Sequence, residues 1–339
     1  MGERSRERRA RRAWLVPPLL AVVRPICERI ARMPMREAYR LSTRLALLLR
    51  FVFWVLGDPT ERNLELACGA LPPKAELKAF KRRYYRHLAL LLVEFLRLPA
   101  VTRENLAHHT EAEDLAKLRA IYERGQGMIC VAGHAGVWEL AGHMAGLIDF
   151  KILSVAKFSG QPELDEWVLS RRQAGGQQVR DVRGSIWSMK KALGRGEAVG
   201  INVDQEARQN RVFAPFFGIP AATSTAPASL HLRTKAPIVV VTAHRVAPFR
   251  YRLRIYEEIN HPKTDDKEAD LLAITTRINA AMEASIRDYP EQWLWSHRRW
   301  RRRPEGEDPP FGKVVETPPL RLTRLQSPPQ RPPRLGVGS

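Results

Sequence analysis

Within the 339 residues, the stretch Met128-Ile-Cys-Val-Ala-Gly-His-Ala-Gly-Val-Trp-Glu-Leu140 holds the side chains best suited to chemistry. His134 can serve as a general base at neutral pH, because imidazole is the side chain whose ordinary pKa lies there. Glu139, five residues on, can in principle accept from one ring nitrogen and leave the other free to take a proton. The apolar run 128–132 reads as a buried strand, 133–136 as a tight turn between glycines, and the residues after it as a helix opening. A strand end fixes the imidazole through the backbone, and the first helical turn brings Glu139 back toward it. An H-x4-E pair is short, however, and equally suits a histidine satisfied at a buried turn beside a solvated glutamate, so the surrounding elements have to decide.

Those elements read as α/β. Apolar runs at 152–156, 198–203 and 238–243 and the alternating run 251–256 have the length and composition of strands, and helical patterns near 164–172 and 185–193 separate some of them. Strands alternating with helices imply a largely parallel central sheet flanked by helices. Both His134 and Asp204 fall just after such strands. Ligands bind at the carboxyl ends of strands in open α/β sheets, so these two residues are expected to line one cleft. A long helix is expected at 268–288, ending before Pro290, and another over 102–124.

The N-terminal third is helical in pattern and basic. Residues 76–98 carry Leu77, Phe80, Tyr84, Leu88, Leu91 and Phe95 at helical spacing, with Lys78, Lys81, Arg82, Arg83 and Arg86 in the first half. Residues 41–56 are strongly apolar but contain Arg44 and Arg50 and fall short of the ~20 apolar residues of a spanning helix. An interfacial helix is expected there, its arginine stems snorkelling to phosphates, although a soluble core helix has the same pattern. The stretch 14–27 is broken by Pro17, Pro18, Arg24 and Pro25 and lacks a small-residue cleavage site, so no removed signal peptide is expected. Nine of the 25 prolines lie between Pro304 and Pro333, and this tail is expected to be disordered. The organisation expected is a basic arm and membrane-associated helices over 1–100, an α/β domain over 101–303 and a Pro-rich tail over 304–339.

The formal net charge of +20 predicts attraction to polyanions. Arginines cluster at 4–12 and 298–303, but no nucleic-acid module accompanies them, and no nucleic-acid partner is expected. Three widely separated cysteines support neither a disulfide framework nor a metal site, and Cys130 reads as a small buried hydrophobe. The absence of G-x-S-x-G and H-E-x-x-H disfavours a serine hydrolase and a zinc protease.

Further segments sharpen the reading. The pair Asp204-Gln205, the run Phe213-Ala-Pro-Phe-Phe-Gly-Ile-Pro-Ala-Ala-Thr223, and Tyr289-Pro-Glu-Gln-Trp-Leu-Trp-Ser-His-Arg-Arg-Trp300, with Arg62-Asn63-Leu64 upstream, resemble the signature blocks of the bacterial lipid A biosynthesis acyltransferases, the lauroyl and myristoyl late acyltransferases. The resemblance runs from about residue 41 to 300. It implies a glycerolipid-acyltransferase-like α/β fold and an enzyme on the cytoplasmic face of the bacterial inner membrane. Such an enzyme moves a fatty acyl chain from a thioester, on acyl carrier protein or as acyl-CoA, to a hydroxyl of a phosphorylated glycolipid. The H-x4-E pair matches the family's H-x4-(D/E), which implies His134 as base, Glu139 as the acid orienting it, and direct attack by the acceptor without an acyl-enzyme. No cofactor or metal is expected.

For the oxyanion and the phosphates, arginine is the suitable residue. Arg171 and Arg172 lie where the family carries an arginine, and either fits. Asp204 matches the family's Asp-Gln pair, with Gln205 beside it, and is expected to position one of those arginines or to contact the acceptor sugar. Residues 215–218, followed by Thr223, read as a rigid turn with two large aromatics, suited to core packing or to an acyl-chain contact. Trp293, Trp295 and Trp300, interleaved with His297, Arg298 and Arg299, read as a surface for an amphipathic ligand or a membrane. Rival readings are an acyltransferase for another glycolipid or an aminolipid, such as a phosphatidylinositol mannoside, and a non-catalytic basic binding protein.

Overall fold

A computed structural model describes residues 16–111, 113–307 and 320–322; the arginine-rich 1–12 lies outside them. Four helices come first: α1 (Val16–Arg32), α2 (Met35–Leu56), α3 (Thr60–Cys68) and α4 (Lys74–Leu96). Pro34, Pro59 and Pro73 each sit at the start of a helix, where a missing N–H costs nothing, and Gly57 and Gly69 close α2 and α3. On α2, Ala38, Ser42 and Ala46 recur at i, i+4 and i+8 and are buried, and the helix lies against α4 along that small-residue side. Its other face is bare. Trp54 is 77 % and Leu56 78 % exposed, with Leu47, Leu48, Phe51 and Val55 also exposed, and exposed Arg44 and Arg50 flank them. Among the described residues no helix is long and apolar enough to cross a membrane.

The expected helix over 102–124 is corrected to three pieces: α5 (Leu106–His109), β1 (Thr110–Glu111) and α6 (Glu113–Tyr122). Thr110 and Glu111 leave helical geometry to pair with Tyr251 and Arg252 on a distant strand, a tertiary gain that overrides local periodicity. The α/β region then runs β2 (Met128–Ala132), α7 (Trp138–Leu147), β3 (Ile152–Ala156), α8 (Pro162–Gln173), β4 (Gln178–Asp181), α9 (Ile186–Gly194), β5 (Ala198–Asn202), β6 (Arg211–Phe216), β7 (Ile219–Ser224), α10 (Ala226–Thr234), β8 (Ile238–Ala247), β9 (Arg250–Ile259) and α11 (Lys267–Asp288).

Among the described residues the main sheet has seven strands in the order β1-β9-β8-β2-β5-β3-β4, every neighbouring pair parallel except β8 with β9. Helices cover both faces, which is why β2 and the start of β8 are apolar without alternation. β4, with the polar sequence Gln-Val-Arg-Asp, is an edge strand that pattern alone does not reveal. The turn expected at 215–218 lies at the tip of the hairpin β6–β7, which reverses through residues 217–218.

One apolar cluster joins the sheet to α3, α4, α10 and α11; the other packs α6 and α7 on the opposite face. The tail is corrected for residues 320–322. Leu320 and Leu322 are buried in the first cluster, Leu320 N donates to Ala67 O at 3.0 Å, and Arg83 Nη2 donates to Leu322 O at 2.9 Å.

Candidate active site

Strand register brings the central pair together. β2 and β5 are parallel neighbours with Ala132 opposite Asn202, so His134 and Asp204, each two residues further on, leave the carboxyl edge side by side. His134 Nδ1 lies 2.8 Å from Asp204 Oδ1, and the His134 backbone N donates to Asp204 Oδ2 at 2.7 Å. Trp293 Nε1 donates to the same Oδ2 at 2.8 Å. With its carboxylate facing the ring, Nδ1 carries the proton and Nε2 is left as the acceptor. Nε2 makes no hydrogen bond among the described residues, and the side chain is 22 % exposed, against 3 % for Asp204.

The turn that carries His134 tolerates little change. A Cβ at Gly133 would lie 3.1 Å from the Asp204 carboxyl, and one at Gly136 would lie 2.1 Å from Ala243 O on a backbone with φ of +62°. The 290–294 segment then ties the turn down: Gly136 N donates to Gln292 O at 2.8 Å, Leu294 N to His134 O at 2.9 Å, and Ala135 bridges Trp293. Asn63, of the Arg62-Asn63-Leu64 block, donates to Trp295 O and His297 O at 2.6 and 2.7 Å. A buried asparagine on α3 therefore fixes the loop whose tryptophan clamps Asp204.

Glu139 does not hold the imidazole. It opens α7 and forms a two-bond pair with Arg172 of α8, Nε to Oε2 at 2.8 Å and Nη2 to Oε1 at 2.6 Å. The expectation failed because five residues of separation allow contact but do not require it, whereas the β2–β5 register places a carboxylate directly against the ring. Glu139 still acts on His134 through its charge. The pair also separates the two candidate arginines. Arg172 stands beside the site, whereas Arg171 is buried, caps the Leu96 carbonyl and pairs with Glu28, anchoring α1.

Charges around the ring set its protonation. Burial disfavours the imidazolium, but Asp204 against Nδ1 and the nearby Glu139 outweigh burial and the opposing Arg172, so the His134 pKa is raised. Burial likewise pushes Asp204 up, yet the imidazole and three donated hydrogen bonds bring its carboxyl down to about 2.

The aromatic and arginine block near the C-terminus is corrected from a ligand surface to core. Trp293, Trp295 and Trp300 are 1 %, 0 % and 3 % exposed. Arg299 is fully buried, donates to Ala222 O and Thr223 Oγ1 at 2.7 and 2.5 Å and stacks over Phe216, and burial lowers its pKa to about 10. Arg298 and Gln205 are exposed. His297 Nε2 accepts from Glu206 N at 2.9 Å at the rim of the site. Alternating large aromatics and basic residues suit either surface or core, and only the packing distinguishes them. Trp293 as an Asp204 clamp was not foreseen; its position beside His134 is set by a non-local bridge that no local pattern signals.

A carboxylate-backed imidazole with a free Nε2, beside a guanidinium with unused N–H groups, is equipped to deprotonate a hydroxyl and to stabilise an oxyanion, the requirements of acyl transfer. The family described as bacterial lipid A biosynthesis acyltransferase matches over residues 1–302. The chain belongs to that family and is an acyltransferase. It is 29 % identical over 270 residues to a lipid A biosynthesis palmitoleoyltransferase of Escherichia coli K12, covering 79 % of this chain and 86 % of the relative. It is 26 % identical over 284 residues to the lauroyltransferase of the same organism, covering 82 % and 89 %. A lipid A biosynthesis acyltransferase of Haemophilus influenzae is 25 % identical over 255 residues, covering 73 % and 78 %.

Proposed function

We propose that the protein transfers a fatty acyl chain from an acyl thioester, carried by acyl carrier protein, to a hydroxyl of a lipid A-type glycolipid at the cytoplasmic face of the inner membrane. The observation that carries this reading is the His134–Asp204 pair at the carboxyl edge of the sheet, with Nδ1 engaged and Nε2 open. Nε2 takes the proton of the acceptor hydroxyl while that oxygen bonds to the thioester carbonyl carbon. The carbonyl electron pair moves to oxygen, giving a tetrahedral oxyanion. Its collapse breaks the C–S bond, and the leaving thiolate takes the proton from Nε2.

Arg172 is the donor for the oxyanion. Glu139 uses two of its five N–H bonds and leaves three, and the pairing keeps a long flexible side chain in one orientation. Glu139 thus positions Arg172, while Asp204 positions the base. This division of labour replaces the expectation that Glu139 serves His134 directly.

Mass spectrometry of total glycolipids from cells with and without the protein tests the assignment. Loss of one acyl chain from lipid A is expected on deletion; an unchanged lipid A alongside a change in another glycolipid would move the acceptor, and an unchanged glycolipid profile would sink the reading.

Membrane binding in this reading runs through the bare face of α2, whose apolar side chains enter the acyl boundary while Arg44 and Arg50 meet phosphates. Each large apolar side chain contributes about 1.5–3 kcal/mol when buried. Replacing Leu48 and Trp54 together by glutamate is therefore expected to weaken binding to phosphatidylglycerol-containing vesicles at least ~100-fold. Sedimentation indistinguishable from the parent protein would count against α2 as the membrane contact.

A further inference from the structure

A cavity of about 260 Å³ opens between α4 and the carboxyl end of β8 and is lined by Tyr39, Arg83, Arg86, His87, Arg245 and Glu291 among others. It shares a wall with the catalytic turn. Gln292, whose carbonyl accepts from Gly136 N, faces this cavity and holds the Arg245 backbone on both sides, accepting from its N at 3.0 Å and donating to its O at 2.9 Å.

The cavity's basic residues are not equivalent. Arg245 is buried and committed: its Nε donates to Glu94 Oε1 at 2.7 Å, its Nη1 to His87 Nδ1 at 2.7 Å, and Nη2 closes the pair with Glu94. It is a strut whose charge is balanced. Arg83 and Arg86, at i and i+3 on α4, face one side of the helix. Arg83 donates to the Leu322 carbonyl, and Arg86 donates to the Tyr39 hydroxyl and stacks over its ring at 4.7 Å. Neither has a carboxylate within ion-pair distance among the described residues. Glu291 is buried in the same wall, and Arg83 and Arg86 are the lining residues left to meet an anion.

Two guanidinium groups without carboxylate partners, lining one small cavity, match a phosphomonoester, whose dianion offers acceptors to both forks. The volume admits a headgroup and excludes a whole lipid. We propose that this cavity binds a phosphomonoester, and that its natural occupant is a phosphate of the glycolipid acceptor, held one segment away from the hydroxyl presented to His134. The second clause rests on the function proposed above; the first does not.

Calorimetry on the full chain with glucosamine 1-phosphate, inorganic phosphate and glucosamine tests it. Glucosamine 1-phosphate is expected to bind and glucosamine to give no heat. Arg83→Gln and Arg86→Gln are each expected to weaken the sugar phosphate about tenfold or more, while Arg82→Gln, at an exposed position outside the cavity, leaves it unchanged. Arg83 is itself exposed, so its substitution probes the site without threatening the core. Absent binding, or binding that both variants retain, overturns the site. Inorganic phosphate bound as tightly as the sugar phosphate overturns the headgroup assignment. In acyl-transfer assays the same two variants are expected to raise KM about tenfold for a phosphorylated acceptor but not for its dephosphorylated form. Equal KM changes for both acceptors would reject the phosphate as the contact. A parent protein that binds sugar phosphate but transfers no acyl chain would instead reject the function and leave the site standing.

Discussion

His134→Ala is expected to lower acyl transfer about 10³- to 10⁴-fold, the scale on which removal of a general base that works with an orienting carboxylate is felt. The substitution removes the imidazole whose open Nε2 is backed by the Asp204 carboxylate at Nδ1. It leaves the backbone bonds of residue 134 in place, since its N still donates to Asp204 and its O still accepts from Leu294 N. Asp204 keeps that backbone donor and Trp293, so the loss of stability should stay within about 1–3 kcal/mol, the cost of one lost buried hydrogen bond. The measurement is single-turnover acyl transfer by the purified variant, with thermal melting and vesicle binding run alongside. A variant that folds and binds vesicles yet keeps more than about a tenth of the parent rate would remove His134 from the chemistry.

Asp204→Asn is expected to have the next largest effect, and its signature is in the pH profile as well as the rate. Asparagine occupies the same space and can still accept from Trp293 and the backbone, but its amide turned toward Nδ1 donates. The imidazole then presents an N–H at Nε2, the tautomer that cannot take a proton, and a rate loss of about 10³- to 10⁴-fold follows. A general base must be neutral, so activity falls as pH drops through the His134 pKa. In the parent that pKa is raised, because burial is outweighed by the Asp204 and Glu139 charges. Losing the Asp204 charge leaves Glu139 alone to oppose burial and Arg172, so the pKa falls below that of the parent and the acid limb of kcat/KM moves to lower pH. A limb that stays put or moves upward, or a rate loss under tenfold, would return the orienting role to Glu139.

Asp204 also links the site to stability. Its carboxyl is held to about 2 in the folded protein, below its ordinary value near 3.8. A depressed carboxylate contributes stability above its unfolded pKa and loses that contribution as pH falls through the folded one, here between about 4 and 2.

The polar network around this site extends well beyond the dyad. Trp293 clamps Asp204, Gln292 ties the His134 turn to Arg245, and Asn63 fastens the loop that carries both to α3. Arg245 is in turn held by Glu94 and His87 on α4. The N-terminal helices are thus part of the scaffold of the active site, and the face of α2 left bare lies on that same scaffold. A membrane contact there would fix the height of His134 above the lipid surface.

What the sequence determined by itself was most of the central strands and the place of the candidate base. Continuous apolar runs at 128–132, 198–203 and 238–243 read as strands buried on both faces, and a histidine in the glycine-flanked turn just after one of them is expected at the carboxyl edge of the sheet. Asp204 was legible as a partner in the same cleft for the same reason. What the tertiary structure decided was pairing. Register across β2 and β5, which depends on residues 70 apart, gave the imidazole to Asp204 and sent Glu139 to Arg172. The fate of Arg171 and Arg172 turned on which side of α8 each occupied, and adjacent residues on a helix point about 100° apart. Burial of Trp293, Trp295 and Arg299 was likewise beyond local pattern. An aromatic and a guanidinium side chain can each face lipid, water or a packed interior, and the choice is made by the neighbours that the fold supplies.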